Sequence, residues 1–298
     1  MSDILAQDAN ALVQGQLDAA LGRLEDRLKA DVLAYSGRIA YGTDDIIRNA
    51  IECRKMQKHS KSSLAFFLGT EGGYLQVAQR IATALRHHYR RVHFYVPDAA
   101  MSAGTVLVMS GDSINMDYYS VLGPIDPQLP KPDGTGYRPA VGYLKKFRDL
   151  MEKATKGELT TAEMAYLCAK FDPAELYDYE HAIKHSVFLL EQWLAKYKFR
   201  NWKVTKTKKL KVTPAMRSKR AAEIAEKLND ADEWHSHGHG ISMEVLRRKL
   251  KLEIEDFGKD AELSRLIRNY WSLMIDFMRK LGTRGVIHVK GQHKQIVW

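Results

Sequence analysis

The sequence predicts an α/β fold in which parallel strands are joined by crossover helices. An apolar run, a glycine-rich loop and an amphipathic helical stretch follow one another between residues 63 and 88, and the same order recurs between 92 and 110. Parallel neighbours linked in this way place both loops at the carboxyl edge of the sheet, where open α/β sheets carry their sites. The 298 residues suffice for a sizeable core, and 45% apolar with 28% charged residues is the composition of a globular protein.

Residues 2–35 are helical in pattern. Leu17, Leu21, Leu24 and Leu28 alternate four and three apart. They make a narrow apolar seam suited to the protein body or to a neighbouring subunit, and too polar around it for a membrane span. Ser63-Leu-Ala-Phe-Phe-Leu68 reads as a buried strand and Gly69-Thr-Glu-Gly-Gly73 as its glycine loop. Leu75, Ala78, Ile81, Ala82 and Leu85 share one helical face, and the basic run 86–91 closes that helix as its dipole prefers. Val92–Val96 is the next strand, Thr105–Ser110 the next helix, Ser113–Met116 a short strand and Ser120–Leu122 the start of another. Beyond a Pro- and Gly-rich loop at 123–139 the pattern is helical near 141–154, 160–169, 173–199, 215–229, 242–250 and 261–280. This divides the chain into an N-terminal helical segment (1–60), an α/β domain (61–200), and a basic linker with a helical C-terminal appendage (201–298).

Cys53 and Cys168 are the two cysteines, in no metal or redox spacing, so a reducing, cytoplasmic setting is expected. Asp3 and Asp8 stand where a signal peptide would need a basic start and an apolar block, and no long uncharged apolar run occurs, so no membrane partner is expected. The formal charge of +10 is partly local: Lys203 to Arg220 holds no acidic residue. A solvated linker accounts for that run better than a nucleic-acid patch, since Trp202 alone offers a base something to stack on.

The stretch Pro97-Asp-Ala-Ala-Met-Ser-Ala-Gly-Thr105 bears most directly on function. Ser102 falls where a turn becomes a helix, so free amides and the positive dipole end lie beside its hydroxyl. Such a hydroxyl can act as a nucleophile, and the amides can hold the resulting oxyanion. Gly72 and Gly73 offer unobstructed N–H groups from the first loop, Ala103 and Gly104 from the second. Taken singly, Gly72-Gly73 is a tight turn and Ser102 an N-cap; taken together, in this order, they predict an acyl-transfer site with Gly73 and Ala103 as oxyanion donors.

Thr70-Glu-Gly-Gly73, the Ser102 turn and Leu122-Gly-Pro-Ile-Asp-Pro-Gln128 resemble the serine dehydrogenase proteinase family of the Clp/crotonase fold, a relative of signal peptide peptidase A. The resemblance is strong over 62–130 and weaker at 171–176 and 234–242. It implies a Clp/crotonase-like α/β fold, whose C-terminal helices could form a winged-helix-like appendage. It also implies a serine peptidase that cleaves polypeptide substrates with Ser102 as nucleophile. Relatives that form rings imply a homo-oligomer, a ring or a dimer of rings.

The general base stays open at this level. Clp peptidases carry a histidine soon after the serine helix, where this chain reads Gly123-Pro-Ile-Asp-Pro127. Signal peptide peptidase A uses a lysine, for which Lys145 and Lys146 are the nearest candidates. His237, in the segment Trp234–Ser242 that resembles a histidine-containing stretch of the family, is the rival. Asp126, fixed between two prolines, could orient a base or a substrate strand, or only shape its loop. Asp172 before Pro173 reads as a helix N-cap more than as a triad acid. His235, His237 and His239 alternate, which would suit zinc, but no other ligand pattern supports a metal, and no cofactor is expected. No phosphate loop is present, so any ATPase or regulatory partner would be a separate chain. Two other classes compete: a Clp-fold scaffold without activity, binding a protein or nucleic acid through 203–220, and an acyl-CoA-processing crotonase.

Overall fold

The computed structural model describes residues 8–130, 137–205 and 207–296. The helix expected from residue 2 is described from α1 (Ala9–Leu28), with residues 2–7 outside the described range. Lys29 ends it in the left-handed region, at φ 53°. The chain then enters β1 (Asp31–Ser36), which corrects the expectation of helix to residue 35. Every residue of Asp31–Tyr35 is buried, so the strand lacks the alternation of polarity that marks a one-sided strand.

Next come α2 (Thr43–Met56), β2 (Ser63–Gly69), α3 (Leu75–His88), β3 (Arg91–Tyr95), β4 (Ala99–Ala100), α4 (Ala103–Val108), β5 (Ser113–Met116) and β6 (Val121–Leu122). A short hairpin, β7 (Gln128–Pro130) and β8 (Tyr137–Pro139), flanks residues of the 123–139 loop that lie outside the described range. The helices α5 (Ala140–Thr155), α6 (Thr161–Lys170) and α7 (Pro173–Trp193) follow, the last running into a π turn at Leu194–Lys198. The C-terminal third contains α8 (Pro214–Asn229), α9 (Ala231–Trp234), β9 (Ile241–Ser242), α10 (Met243–Arg248), β10 (Glu255–Asp256), α11 (Ala261–Lys280), β11 (Gly285–Val289) and β12 (Gln292–Ile296).

Seven strands form the main sheet in the order β10-β5-β3-β2-β1-β11-β12. The pairs from β10 to β1 are parallel, and β11 and β12 add antiparallel strands beyond β1. Helices cover both faces. Leu33, Tyr35, Leu64, Phe66, Val92 and Phe94 point into a core shared with α2, α3, α4, α7 and α8. Val32, Ala34, Ala65, Phe67 and Tyr95 point the other way, against the leucine seam of α1 and the apolar face of α11.

The packing crosses the expected boundaries at 60 and 200. The segment 1–60 supplies β1 to the centre of the sheet. The segment 201–298 supplies β10, β11 and β12, and Ala221, Ile224, Leu228 and Leu246 join the same core as the parallel strands. Within the basic run, Val204 and Lys211 bridge antiparallel, Thr205 N–H donates to Leu210 C=O at 2.9 Å, and Thr213 caps α8. Lys206 lies outside the described residues.

One buried ionic cluster ties the first elements together. Arg54 on α2 reaches Asp31 at 2.7 Å and Glu25 of α1 at 3.1 Å, all three being at most 4% exposed. Asp31 also accepts from Lys61 N–H at 3.0 Å and Tyr89 O–H at 3.1 Å. Burial still raises the Asp31 carboxyl above its ordinary pKa. Arg54→Leu strands two carboxylates in the interior, and should lower the unfolding free energy by about 3–5 kcal/mol, read from urea denaturation; a change under about 1 kcal/mol would show the cluster to be solvated.

His293 on β12 gives a pH signature. Burial first, then the neighbouring His288, lowers its pKa from 6.5 to about 4. Between these values the unfolded chain binds a proton that the folded chain does not, so stability falls as pH drops from 6.5 to about 4. His293→Leu should flatten the urea midpoint over this window; an unchanged slope would assign the effect to other groups.

Candidate active site

The loop after β2 lies between two other segments and pairs with both. On one side Thr70 N–H donates to Ala99 C=O and Met101 N–H to Thr70 C=O, both at 2.9 Å. On the other, Ile39 N–H donates to Gly72 C=O and Tyr74 N–H to Ile39 C=O, both at 2.8 Å. Glycine is required at the points of closest approach. Gly72 has φ +103°, and a Cβ there would lie 2.8 Å from both Met101 O and Ser102 Cβ. Gly73 has φ +144°, and a Cβ there would overlap the Ile39 carbonyl. A Cβ on Gly104 would overlap the Thr70 methyl, so α4 can dock on this loop only with glycine at its second position.

Ser102 sits at the turn into α4 with φ 51° and ψ −118°, a sparsely populated conformation for any residue but glycine. Such a residue costs about 1–3 kcal/mol and persists where its surroundings over-determine it. Thr105 supplies part of that constraint. Its hydroxyl lies 2.7 Å from Ala100 C=O and 2.9 Å from Gly123 C=O, and accepts from Gly123 N–H at 2.9 Å. The turn is thereby fastened to the strand beside it. Although Ser102 is the N-cap residue, its side chain makes no capping bond. The hydroxyl is part-exposed and not spent on the helix. Among the described residues, neither Gly73 N–H nor Ala103 N–H has an acceptor. Each of the two loops thus carries one backbone N–H without an acceptor among the described residues.

A second, three-stranded sheet, β4-β6-β9, gathers the remaining candidates. Ala100 pairs parallel with Leu122, and Leu122 antiparallel with Ile241. Ser102 follows Ala100 by two residues and Asp126 follows Leu122 by four. Because β9 runs the opposite way, His237, four residues before Ile241, leaves the sheet at the same end. There His237 Nδ1 meets Asp126 Oδ1 at 2.8 Å, while Asp126 Oδ2 accepts from Gln128 Nε2 at 2.8 Å. The Asp126 side chain is 2% exposed and that of His237 24%. A carboxylate acceptor at Nδ1 places the proton on that nitrogen and leaves the Nε2 lone pair free. The histidine loop is anchored by Trp234, whose indole N–H donates to Lys227 C=O at 2.7 Å.

The two lysine candidates stand on α5. Lys145 pairs with Asp232 at 2.6 Å, and this hydrogen bond raises its pKa, the opposite of what a general base needs. Lys146 is exposed on α5. Asp172 accepts from Ala174 N–H at 2.7 Å as the N-cap of α7. Among the described residues no three His, Cys, Asp or Glu side chains gather around a metal-sized site, and the His239 ring lies tilted against Trp234 at 5.7 Å between centroids. Thr105 and Ile39 are the positioning residues that sequence reasoning missed. Thr105 stood inside the quoted turn, but nothing in a single sequence reveals that its hydroxyl reaches Gly123.

Residues 44–159 match the model of the ClpP-like SDH-type serine proteinase family, the family that the Ser102 turn resembles. The matched segment contains Gly72, Gly73, Ser102 and Asp126 and ends before His237. Two uncharacterized proteins of Methanocaldococcus jannaschii are 38% identical over 97 residues and 31% identical over 96. Each alignment covers 32% of this chain and 32% or 31% of the relative, so the match spans about a third of those proteins' length. Among solved structures, a serine-to-alanine variant of the 1510-N membrane-bound stomatin-specific protease is 14% identical with a TM-score of 0.45, covering 75% of this chain and 77% of that one. A lysine-to-alanine variant of the same protease, in complex with a substrate peptide, is 16% identical with a TM-score of 0.46, covering 89% and 86%. The ClpP catalytic domain of Plasmodium falciparum is 9% identical with a TM-score of 0.30, covering 41% and 63%. No helix among the described residues is long and apolar enough to cross a membrane.

Since a Cβ on Gly73 would overlap the Ile39 carbonyl, Gly73→Ala should destabilise the protein by roughly 1–3 kcal/mol. The readout is the urea midpoint at constant m-value; a variant as stable as the parent would mean that the loop does not hold this close approach.

Proposed function

We propose that this chain, whose residues 44–159 carry the pattern of ClpP-like SDH-type serine proteinases, cleaves peptide bonds through an acyl-enzyme on Ser102. The observation that carries the proposal is the pairing of His237 with buried Asp126 at the end of the small sheet from which Ser102 also emerges. In this reading His237 Nε2 takes the Ser102 proton as the hydroxyl attacks the scissile carbonyl carbon. Asp126 holds the Nδ1 proton and stabilises the imidazolium that forms. The carbonyl oxygen becomes an anion held by Gly73 N–H and Ala103 N–H. The imidazolium then gives its proton to the departing amine, the C–N bond breaks, and water repeats the sequence to release the acid. Lys146 has no part in it. Homo-oligomers acting on cytoplasmic polypeptides complete the proposal.

Labelling with a fluorophosphonate probe and hydrolysis of an unstructured polypeptide test it on the intact protein. Ser102→Ala should abolish labelling. His237→Ala should lower kcat by about a hundredfold or more, and Asp126→Asn by about 10²–10⁴-fold, while Lys146→Ala leaves both readouts within about twofold. Labelling and hydrolysis that survive Ser102→Ala would refute the acyl-enzyme. Loss on Lys146→Ala with retention on His237→Ala would transfer the base to the lysine. A wild-type protein silent to probe and substrate would favour the scaffold reading.

A further inference from the structure

The loop that presents Gly72 and Gly73 also forms one wall of a cleft of about 690 Å³. The opposite wall is the last two turns of α11, with Ile275, Met278 and Arg279, and Arg284 follows just before β11. Trp271 adds an apolar surface; a Cβ on Gly69 would overlap its indole, so that glycine lets the ring lie directly on the loop. The near end is bounded by Met101, the residue before Ser102, and by Glu71 and Asp98. The cleft therefore adjoins the serine turn without including it.

Charge is divided along this cleft. Glu71, Asp98 and Arg38, the last held beside the glycine loop by the Gly37 and Ile39 amides, line the loop side, while Arg279 and Arg284 stand at the α11 side without an acid beside them in the lining. Neither of these two arginines has an acidic partner among the described residues. Arg279 in the last turn of α11 would complement the helix dipole in any case, but Arg284 lies past the helix end and gains nothing from it. An exposed cation contributes little alone. Two beside apolar walls in a concave site focus their field on whatever enters, and water is partly excluded there.

We infer that the cleft binds the polypeptide substrate beyond the scissile bond and selects an acidic side chain there, held by Arg279 and Arg284 with the neighbouring apolar portion against Trp271. The inference rests on the peptidase reading given above. Glu71 and Asp98 offset Arg38 on the loop side, so the uncompensated positive charge, and with it the selected acid, lies at the α11 side of the cleft. Guanidinium pairs of this kind favour a carboxylate bidentately and disfavour lysine at the same position.

The test uses matched peptides that carry Glu, Ala or Lys at successive positions on either side of a cleaved bond. At one position the wild-type protein should prefer Glu over Lys by at least about tenfold in kcat/KM, mostly through KM, and the Arg279→Glu/Arg284→Glu double variant should reverse the order. The Ser102→Ala protein should bind the labelled Glu peptide more tightly than the Lys peptide, and the same charge reversal on that background should invert this. Ser102-dependent cleavage with no acidic preference at any position, or a preference that survives the reversal, would overturn the inference while leaving the peptidase reading intact. Absence of Ser102-dependent cleavage would end the peptidase reading. The binding comparison then decides the cleft: equal affinity for the two peptides overturns the inference, and charge-reversible selection of Glu supports it.

Discussion

Two stretches of backbone, 70–73 and 99–104, lie closer together than side chains permit, and the candidate site depends on that approach. Gly72 lets the first loop rest on Ser102, Gly73 lets it rest on Ile39, and Gly104 lets α4 close over Thr70. Each contact forbids a Cβ, and together they leave the chain at Ser102 little choice of conformation. The positive φ of Ser102 is one consequence. A hydroxyl freed from helix capping is another, and two loop amides without acceptors among the described residues are the third. Strain stored at one residue is tolerable because the sheet beneath is covered by helices on both faces and cannot relax to relieve it.

The small sheet performs a different task. Its three strands come from positions near 100, 122 and 241, and each is two residues long. Such short strands contribute little stability by themselves. Their register nonetheless sends three loops out of the same end, and these carry a hydroxyl, a carboxylate and an imidazole. Thr105 locks the first strand to the second through Gly123, so that Ser102 and Asp126 are positioned by one shared set of hydrogen bonds. The C-terminal segment takes part in this arrangement, because it supplies both the third strand and the histidine.

Much of the parallel core was legible in the sequence, since Ser63–Leu68 and Val92–Val96 are apolar runs followed by glycine or proline turns and amphipathic helices. The first strand was not. Its apolar residues follow a long leucine seam directly, and burial on both faces erases the period-two signal. The strands β11 and β12 escaped for another reason: each is only five residues long, β11 (Gly-Val-Ile-His-Val) holds just three apolar residues around a histidine, and β12 (Gln-His-Lys-Gln-Ile) is polar in all but its last residue. Ser102, Gly73 and Ala103 are candidates that can be proposed locally, because the chemistry of a strand–turn–helix is local. His237 and Asp126 were recognisable only as separate candidates. They stand 111 residues apart, and their contact is created by the antiparallel register of β9, which no spacing encodes.

The most direct measurement is an experimental structure of the intact protein after reaction with a peptidyl boronate, which forms a tetrahedral adduct on a nucleophilic serine. The account predicts boron bonded to Ser102 Oγ, one adduct oxygen about 2.7–3.1 Å from both Gly73 N and Ala103 N, and His237 Nε2 in hydrogen-bond contact with the adduct. A serine that stays unmodified at saturating boronate, or an adduct whose oxygens contact neither amide, would contradict it.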